Sequence, residues 1–214
     1  MTGLVRLRGV SVVHNAGTPW AQPALSDLDL DLPQGERLLV VGTNGSGKST
    51  LAWLLAGMIG PTTGTAFLGD APIVDARSEI GLVVQQTRLQ LLRPTVSEEL
   101  AAFTSDVVHQ LEALERMGFS GADLRRRIDD LSVGQQRRIG LAAQLARRPR
   151  LLVLDEPMAG LDRPSRVALT EALRDLPATA TVVVVTHDLE DSAALGTRVI
   201  RLEGGHLAGD GSPS

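Results

Sequence analysis

The octapeptide Gly42-Thr43-Asn44-Gly45-Ser46-Gly47-Lys48-Ser49 places glycines, a lysine and a hydroxyl in the spacing of a phosphate-binding P-loop. Glycines let the backbone curl until several amide N–H groups converge on one phosphate, and a helix that starts at once adds favourable partial charge. Lys48 is expected to reach the terminal phosphates of a nucleoside triphosphate, and Ser49 to ligate magnesium. A second feature, Asp155-Glu156, sets two carboxylates side by side. The aspartate suits magnesium, usually through water, and the glutamate suits orienting and polarising an attacking water. His187 then offers an imidazole to the γ-phosphate. Taken alone, an Asp-Glu pair is as often a helix N-cap and a lone histidine is more often structural. In company with the P-loop they form a coherent hydrolytic set.

The elements that must carry these residues are visible in the hydrophobic pattern. The runs 38–41, 151–154 and 182–185 are unbroken aliphatic stretches, as expected for parallel strands covered on both faces. Each ends just before one of the polar groups above, where an open parallel sheet builds its site. Residues 80–84 and 199–202 read as neighbouring strands, and Asp27 to Leu32 alternates acid and leucine like a half-buried strand. Apolar residues spaced three or four apart predict helices over 49–58, 106–117, 135–148 and 163–176. Strands alternating with helices indicate an α/β fold. Between Gln85 and Ser132 the strand-like runs disappear, which predicts a small helical insertion. The segment after Gly204, rich in small and polar residues, is expected to fray.

Composition narrows the function further. At 214 residues and 43% hydrophobic content the chain can bury one sizeable core, so one compact unit over 1–214 is expected. A net charge of −4 argues against nucleic acid as a partner. Arg125 to Arg127 and Arg147 to Arg148 read as a solvated basic face. The absence of cysteine excludes disulfides, thiol nucleophiles and cysteine-ligated metals. No apolar leader is evident, and the longest charge-free stretch, 51–69, is broken by Gly57, Gly60, Pro61 and Gly64. A cytoplasmic location is expected, with membrane contact made through a partner.

Leu131-Ser132-Val133-Gly134-Gln135-Gln136, directly before a predicted helix, resembles the signature motif of ABC (ATP-binding cassette) ATPases. The resemblance covers essentially the whole chain: Gln85 matches the family's Q-loop, Gly160-Leu161-Asp162 its D-loop and His187 its H-loop. It implies a P-loop NTPase core with a parallel central sheet, an N-terminal antiparallel β subdomain and a helical subdomain at approximately 86–134. It implies ATP and Mg2+ as ligands, with Gly42, Asn44, Gly45, Ser46, Gly47, Lys48, Ser49 and Thr50 around the nucleotide. Ser49, Gln85 and Asp155 would serve the metal, and Lys48, Gln85, Glu156 and His187 catalysis. Two such domains pack head to tail in this family, so Ser132, Val133, Gly134 and Gln135 would close over the partner subunit's ATP. Asp162 would then lie at the dimer interface, and a transmembrane transporter subunit would be the further partner.

Two positions depart from the family pattern. Val133 stands where the signature usually has its first glycine, but its backbone N–H is retained and function is expected to be kept. His14 takes the place of the aromatic residue that stacks on adenine, offering a smaller face, with Trp20 as a second ring nearby. The segment from Gln85 through Thr87, Arg88 and Leu89 to Gln90, with Pro94 to Glu99, resembles the ATPases of energy-coupling-factor importers of vitamins and metal ions. An exporter ATPase, a soluble ABC ATPase such as one in iron-sulfur assembly, and a nucleotide-binding scaffold stay open as alternatives.

Overall fold

Alternation of acid and leucine puts all the leucines of 27–32 on one face, and in the computed structural model Leu28, Leu30 and Leu32 are buried. They form the second half of β2 (Gln22–Leu32), which pairs antiparallel with β1 (Val5–His14). The structure describes residues 3–86 and 90–212; Thr87, Arg88 and Leu89, singled out above, lie outside the described residues. β4 (Thr63–Leu68) and β5 (Ala71–Pro72) complete a four-stranded antiparallel sheet in the order β2-β1-β4-β5.

The aliphatic runs form the second sheet, which has six strands. β3 (Arg37–Val41), β6 (Ile80–Val83), β7 (Leu151–Asp155), β8 (Thr181–Thr186) and β9 (Arg198–Glu203) are parallel wherever they adjoin. β10 (His206–Gly211) adds an antiparallel edge, giving the order β10-β9-β3-β8-β7-β6. This is the mixed α/β architecture expected, with parallel and antiparallel sheets. Alternate residues of a single strand enter different cores. Leu38, Val40, Val153 and Val183 pack beneath the antiparallel sheet and α1 (Lys48–Leu55), whereas Leu39, Leu152, Leu154 and Val184 pack beneath α4 (Val133–Ala146) and α5 (Arg163–Arg174). Every residue of β7 and β8 is buried, so each leucine or valine contributes about 1.5–3 kcal/mol whichever way it points. The strand ends are therefore held firmly.

Local signals set the helix bounds. α1 stops short of the predicted 49–58 because Gly57 turns the chain at φ +69, where a Cβ would come 2.5 Å from the Ile73 carbonyl. α4 begins earlier than predicted because Ser132 caps it. Between β6 and α4 lie the short helices α2 (Val96–Ala101) and α3 (Val107–Arg116), capped by Thr95 and Asp106. Val96 N–H to Arg126 O and Ile128 N–H to Pro94 O staple the two ends of this helical stretch together.

One expectation is corrected. Over its described residues the segment after Gly204 does not fray: Gly204 and Gly205, both at positive φ, make a two-residue hairpin turn, and β10 follows. Arg198 clamps that edge strand by paired bonds to Asp210 (2.8 and 2.6 Å) and also reaches Glu36 at 3.1 Å. Arg125, Arg127 and Arg148 of the arginine clusters are exposed, in keeping with a solvated face. Arg126 pairs with Asp123 and Arg148 with Glu112, and Arg147 donates to the Ser78 carbonyl.

Candidate functional site

Buried β3 delivers the loop 42–47 to the first turn of α1. Gly45 and Gly47 adopt φ +80 and +102, the left-handed region that favours glycine. At Gly47 a Cβ would come 2.5 Å from the Ala24 carbonyl, and at Gly42 one would come 2.6 Å from Ser46 Oγ, so the loop closes only with glycine. α2, α3, α4 and α5 each have a side chain capping their first amides, whereas α1 has none. Its first-turn N–H groups and the positive end of its dipole are the kind of feature that favours an anion. Lys48 is 7% exposed and its Nζ donates to Thr43 O at 2.9 Å, within the loop. Ser46 Oγ is buried without a partner.

Ser49 Oγ stands 3.5 Å from Asp155 Oδ1, which joins this loop to the end of β7. Burial raises the Asp155 carboxyl above the usual carboxylate range, with Glu156 acting in the same direction and the Ser49 hydroxyl and Lys48 opposing it. A carboxylate desolvated in this way gains from a nearby cation. The donors here, a hydroxyl and a carboxylate, are hard oxygens of the kind Mg2+ takes. Among the described residues no cluster of three or more His, Cys, Asp or Glu forms a ready-made metal cage. That suits an ion which keeps waters and phosphate oxygens in its shell.

Glu156 occupies φ +51, unusual for a residue with a side chain, and its N–H extends the ladder to Val185 O at 2.8 Å. Its Oε1 lies 2.9 Å from His187 Nδ1, at the end of β8. With the imidazole neutral, Nδ1–H donates to the carboxylate and Nε2 keeps its lone pair. The glutamate is largely enclosed and the histidine half exposed. Lys48, Ser49, Asp155, Glu156 and His187 therefore share one edge of the sheet.

Gln85, two residues past β6, is exposed, and its carbonyl accepts a bond from Arg137 Nη2. Arg137 also binds the turn that follows Asp155, through Pro157 O (2.6 Å), Ala159 O (2.8 Å) and Glu156 O (3.4 Å). Sequence reasoning gave this arginine no role. The available signal was the spacing Gly134, Arg137, Leu141, Gln144, which sets a cation in the buried stripe of α4. His14 lies beside the P-loop helix, its Nε2 3.0 Å from Thr50 Oγ1, and Thr50 itself is buried. Trp20 is 74% exposed in the turn after β1.

The signature residues stand apart from that edge. Ser132 caps α4: its Oγ accepts from Gln135 N–H at 3.3 Å, while Gln135 Oε1 accepts from Ser132 N–H at 3.0 Å. Val133 is 62% exposed, and Gly134 packs so tightly on Ser165 that a Cβ would come 2.7 Å from the Ser165 Cβ. Asp162 caps α5 by accepting from Ser165 N–H at 3.0 Å. The Ser165 side chain and then its amide hold the Asp162 carboxyl below its ordinary range. Ser132, Val133, Gly134, Gly160, Leu161, Asp162 and Ser165 line one shallow cleft. Among the described residues, no hydrogen bond joins this cleft to the P-loop of the same chain.

Residues 25–159 match the family model described as ABC transporter. An "uncharacterized ABC transporter ATP-binding protein" of Mycobacterium tuberculosis is 44% identical over 209 residues, 95% of this chain. The chain spans 30% of that relative's length. The energy-coupling factor transporter ATP-binding protein of Lactococcus lactis is 34% identical over 99% of this chain and 80% of its own length. The aliphatic sulfonates import ATP-binding protein of Pseudomonas syringae is 38% identical over 89% of this chain and 71% of its own. Among solved structures, a dimeric ATP-binding cassette in a post-hydrolysis state with ADP and Pi superposes with a TM-score of 0.84 at 27% identity, covering 98% of this chain and 99% of that one. The fold also matches cbiO1 of Clostridium perfringens, part of the ABC transporter complex cbiONQ, with a TM-score of 0.87 at 24% identity over 100% of this chain and 90% of that one.

Proposed function

The chain belongs to the ABC transporter family, and from that premise we propose that it binds and hydrolyses ATP to power transport through a membrane-embedded partner. The observation that carries this reading is the single sheet edge on which Lys48, the Ser49–Asp155 pair and the Glu156–His187 pair converge. The amides of 42–49 and Lys48 hold the phosphates. Ser49, Asp155 and Gln85 would hold Mg2+, which would supply positive charge to the phosphates when bound. Glu156 orients water and takes its proton, with His187 fixing the carboxylate by the 2.9 Å bond. Thr50 and His14 flank the nucleotide beyond the loop.

Ser132, Val133, Gly134 and Gln135 act on the ATP of a second ATPase subunit, and Asp162 lies at the interface between the two. The dimeric state of the post-hydrolysis relative supports this reading. No helix among the described residues is long and apolar enough to cross a membrane. In this reading a transmembrane transporter subunit holds the ATPase at the cytoplasmic face. Likeness to energy-coupling factor ATP-binding proteins supports an importer of a vitamin or metal ion. The test is phosphate release by wild type and Glu156→Gln. The variant should lose hydrolysis by about 10²-fold or more yet form an ATP-trapped dimer. Equal rates would remove Glu156 from its role, and a wild type that never releases phosphate would end the ATPase reading.

A further inference from the structure

We propose that Arg137 is a positioning residue for hydrolysis, a fork that fixes the Glu156 turn and the Gln85 loop to the helix whose cap is Ser132. The inference rests on the ATPase reading above and names a part that reading leaves out. Gln85 lies two residues past β6 and Glu156 one residue past β7. The Arg137 guanidinium binds the Gln85 carbonyl on one side and the carbonyls of Glu156, Pro157 and Ala159 on the other.

The chemistry is unusual for a buried arginine. The residue is 5% exposed, and among the described residues no carboxylate pairs with it; its Nε is buried without a partner. Burial lowers its basicity without any acid to offset the effect, so the charge rests on carbonyl dipoles alone. An apolar side chain of similar volume would fill this space but leave the Gln85, Pro157 and Ala159 carbonyls without this donor. What the cation adds is geometry. A planar fork with fixed donors reaches two segments at once, which an ammonium cannot do. The turn it grips contains Glu156 at φ +51, a backbone conformation that its surroundings must hold.

The same helix then has two tasks. Its N-cap, Ser132, faces outward, and five residues later Arg137 grips the chain's own hydrolytic edge. Movement of the cap on contact with a partner's nucleotide is thereby passed to Glu156 and Gln85 through one rigid element.

The test uses Arg137→Met and Arg137→Lys in the full chain, with wild type and Glu156→Gln alongside. Binding of a fluorescent ATP analogue should stay near wild type, while the thermal midpoint falls in the methionine variant because the carbonyls lose their donor. The kcat should fall on the order of 10²-fold in the methionine variant and about tenfold in the lysine variant, as expected when a reacting group is misplaced by about 1 Å. Amide hydrogen exchange should speed up together in 84–86 and 156–161 while β1 and β2 stay unchanged. Should the methionine variant not fold, the lysine variant gives the same comparison. A lysine variant with wild-type kcat would overturn the proposal, as would activity and nucleotide binding falling in parallel. The exchange readout does not need turnover. If wild type releases no phosphate, the ATPase reading fails on its own, and exchange that is unchanged or rises in one segment only would still overturn the fork.

Discussion

The two edges that carry chemistry are built on opposite principles. The edge formed by β3, β7 and β8 is assembled inside one chain: its strands are buried on both faces, and Lys48, Ser49, Asp155, Glu156 and His187 already contact one another or the loop. The signature edge consists of two helix N-termini, α4 and α5, whose caps Ser132 and Asp162 satisfy their own first turns and whose outermost residue, Val133, is exposed. The first has uncapped amides at α1 and an orphaned buried hydroxyl at Ser46. The second has neither. On the proposed reading the first edge is preorganised for an anion of its own, and the second is a stable surface that acts by being brought to one.

The sharpest way to break that comparison is to damage each edge and ask whether the loss depends on protein concentration. Lys48→Ala removes a buried cation that donates charge-assisted bonds, worth about 1.5–3 kcal/mol, or roughly 10- to 100-fold in nucleotide affinity. That loss should appear at any protein concentration, measured by titration with a fluorescent ATP analogue. Ser132→Ala deletes the cap of α4 at a cost of about 1 kcal/mol in stability. Nucleotide binding by dilute protein should stay unchanged, while ATP-driven dimerisation, followed by light scattering, weakens. If Ser132→Ala lowered affinity in dilute protein as Lys48→Ala does, the division into two edges would be wrong.

The first edge was far more legible in the sequence than the second. Aliphatic runs ending in Lys48, Asp155 and His187 report both strand and site, because burial on two faces leaves no room for polar residues until the strand ends. The strands β1 and β4 are harder to see, since Gly9 and the register shifts around it interrupt the first, and the second opens on Thr63-Gly64-Thr65. β10 was missed because His206 to Gly211 has weak strand propensity, and its clamp, Arg198 to Asp210 and Glu36, is a tertiary contact. The partners of Arg137 were invisible for the same reason, being backbone carbonyls that carry no sequence signal; only its place in the buried stripe of α4 could have flagged it. Ser132 was legible as chemistry but not as a cap, although Ser132 and Gln135 spell a capping box.

Val133→Gly sharpens the comparison with a smaller effect. The side chain is exposed at the first turn of α4, so restoring the family's glycine should leave nucleotide binding by dilute protein unchanged. Dimer formation with ATP should tighten a few-fold at most, offset by glycine's cost of about 0.5–1 kcal/mol within a helix. A change in the affinity of dilute protein would mean that Val133 reaches its own nucleotide.

The smallest expected effect contrasts the two edges by the sign of their pH dependence, in protein free of nucleotide and with chelator present. Asp162 is held below its ordinary value of 3.8 by Ser165, so its stabilisation is complete above that pH and is lost as pH falls through the lowered value. Asp162→Ala should therefore melt below wild type at pH 7 and converge with it in acid. Asp155 is raised above 3.8, chiefly by burial, so its ionised form costs stability; that cost begins as pH rises past 3.8 and is complete above the raised value. Asp155→Asn should melt above wild type at pH 7 and lose that advantage as pH falls toward 3.8. Thermal midpoints across pH 3 to 8 would read both curves, each flagged by its own variant. Shifts of the same sign would mean that Asp155 is stabilised as an anion by its own chain, and the preorganised edge would then be complete without a cation.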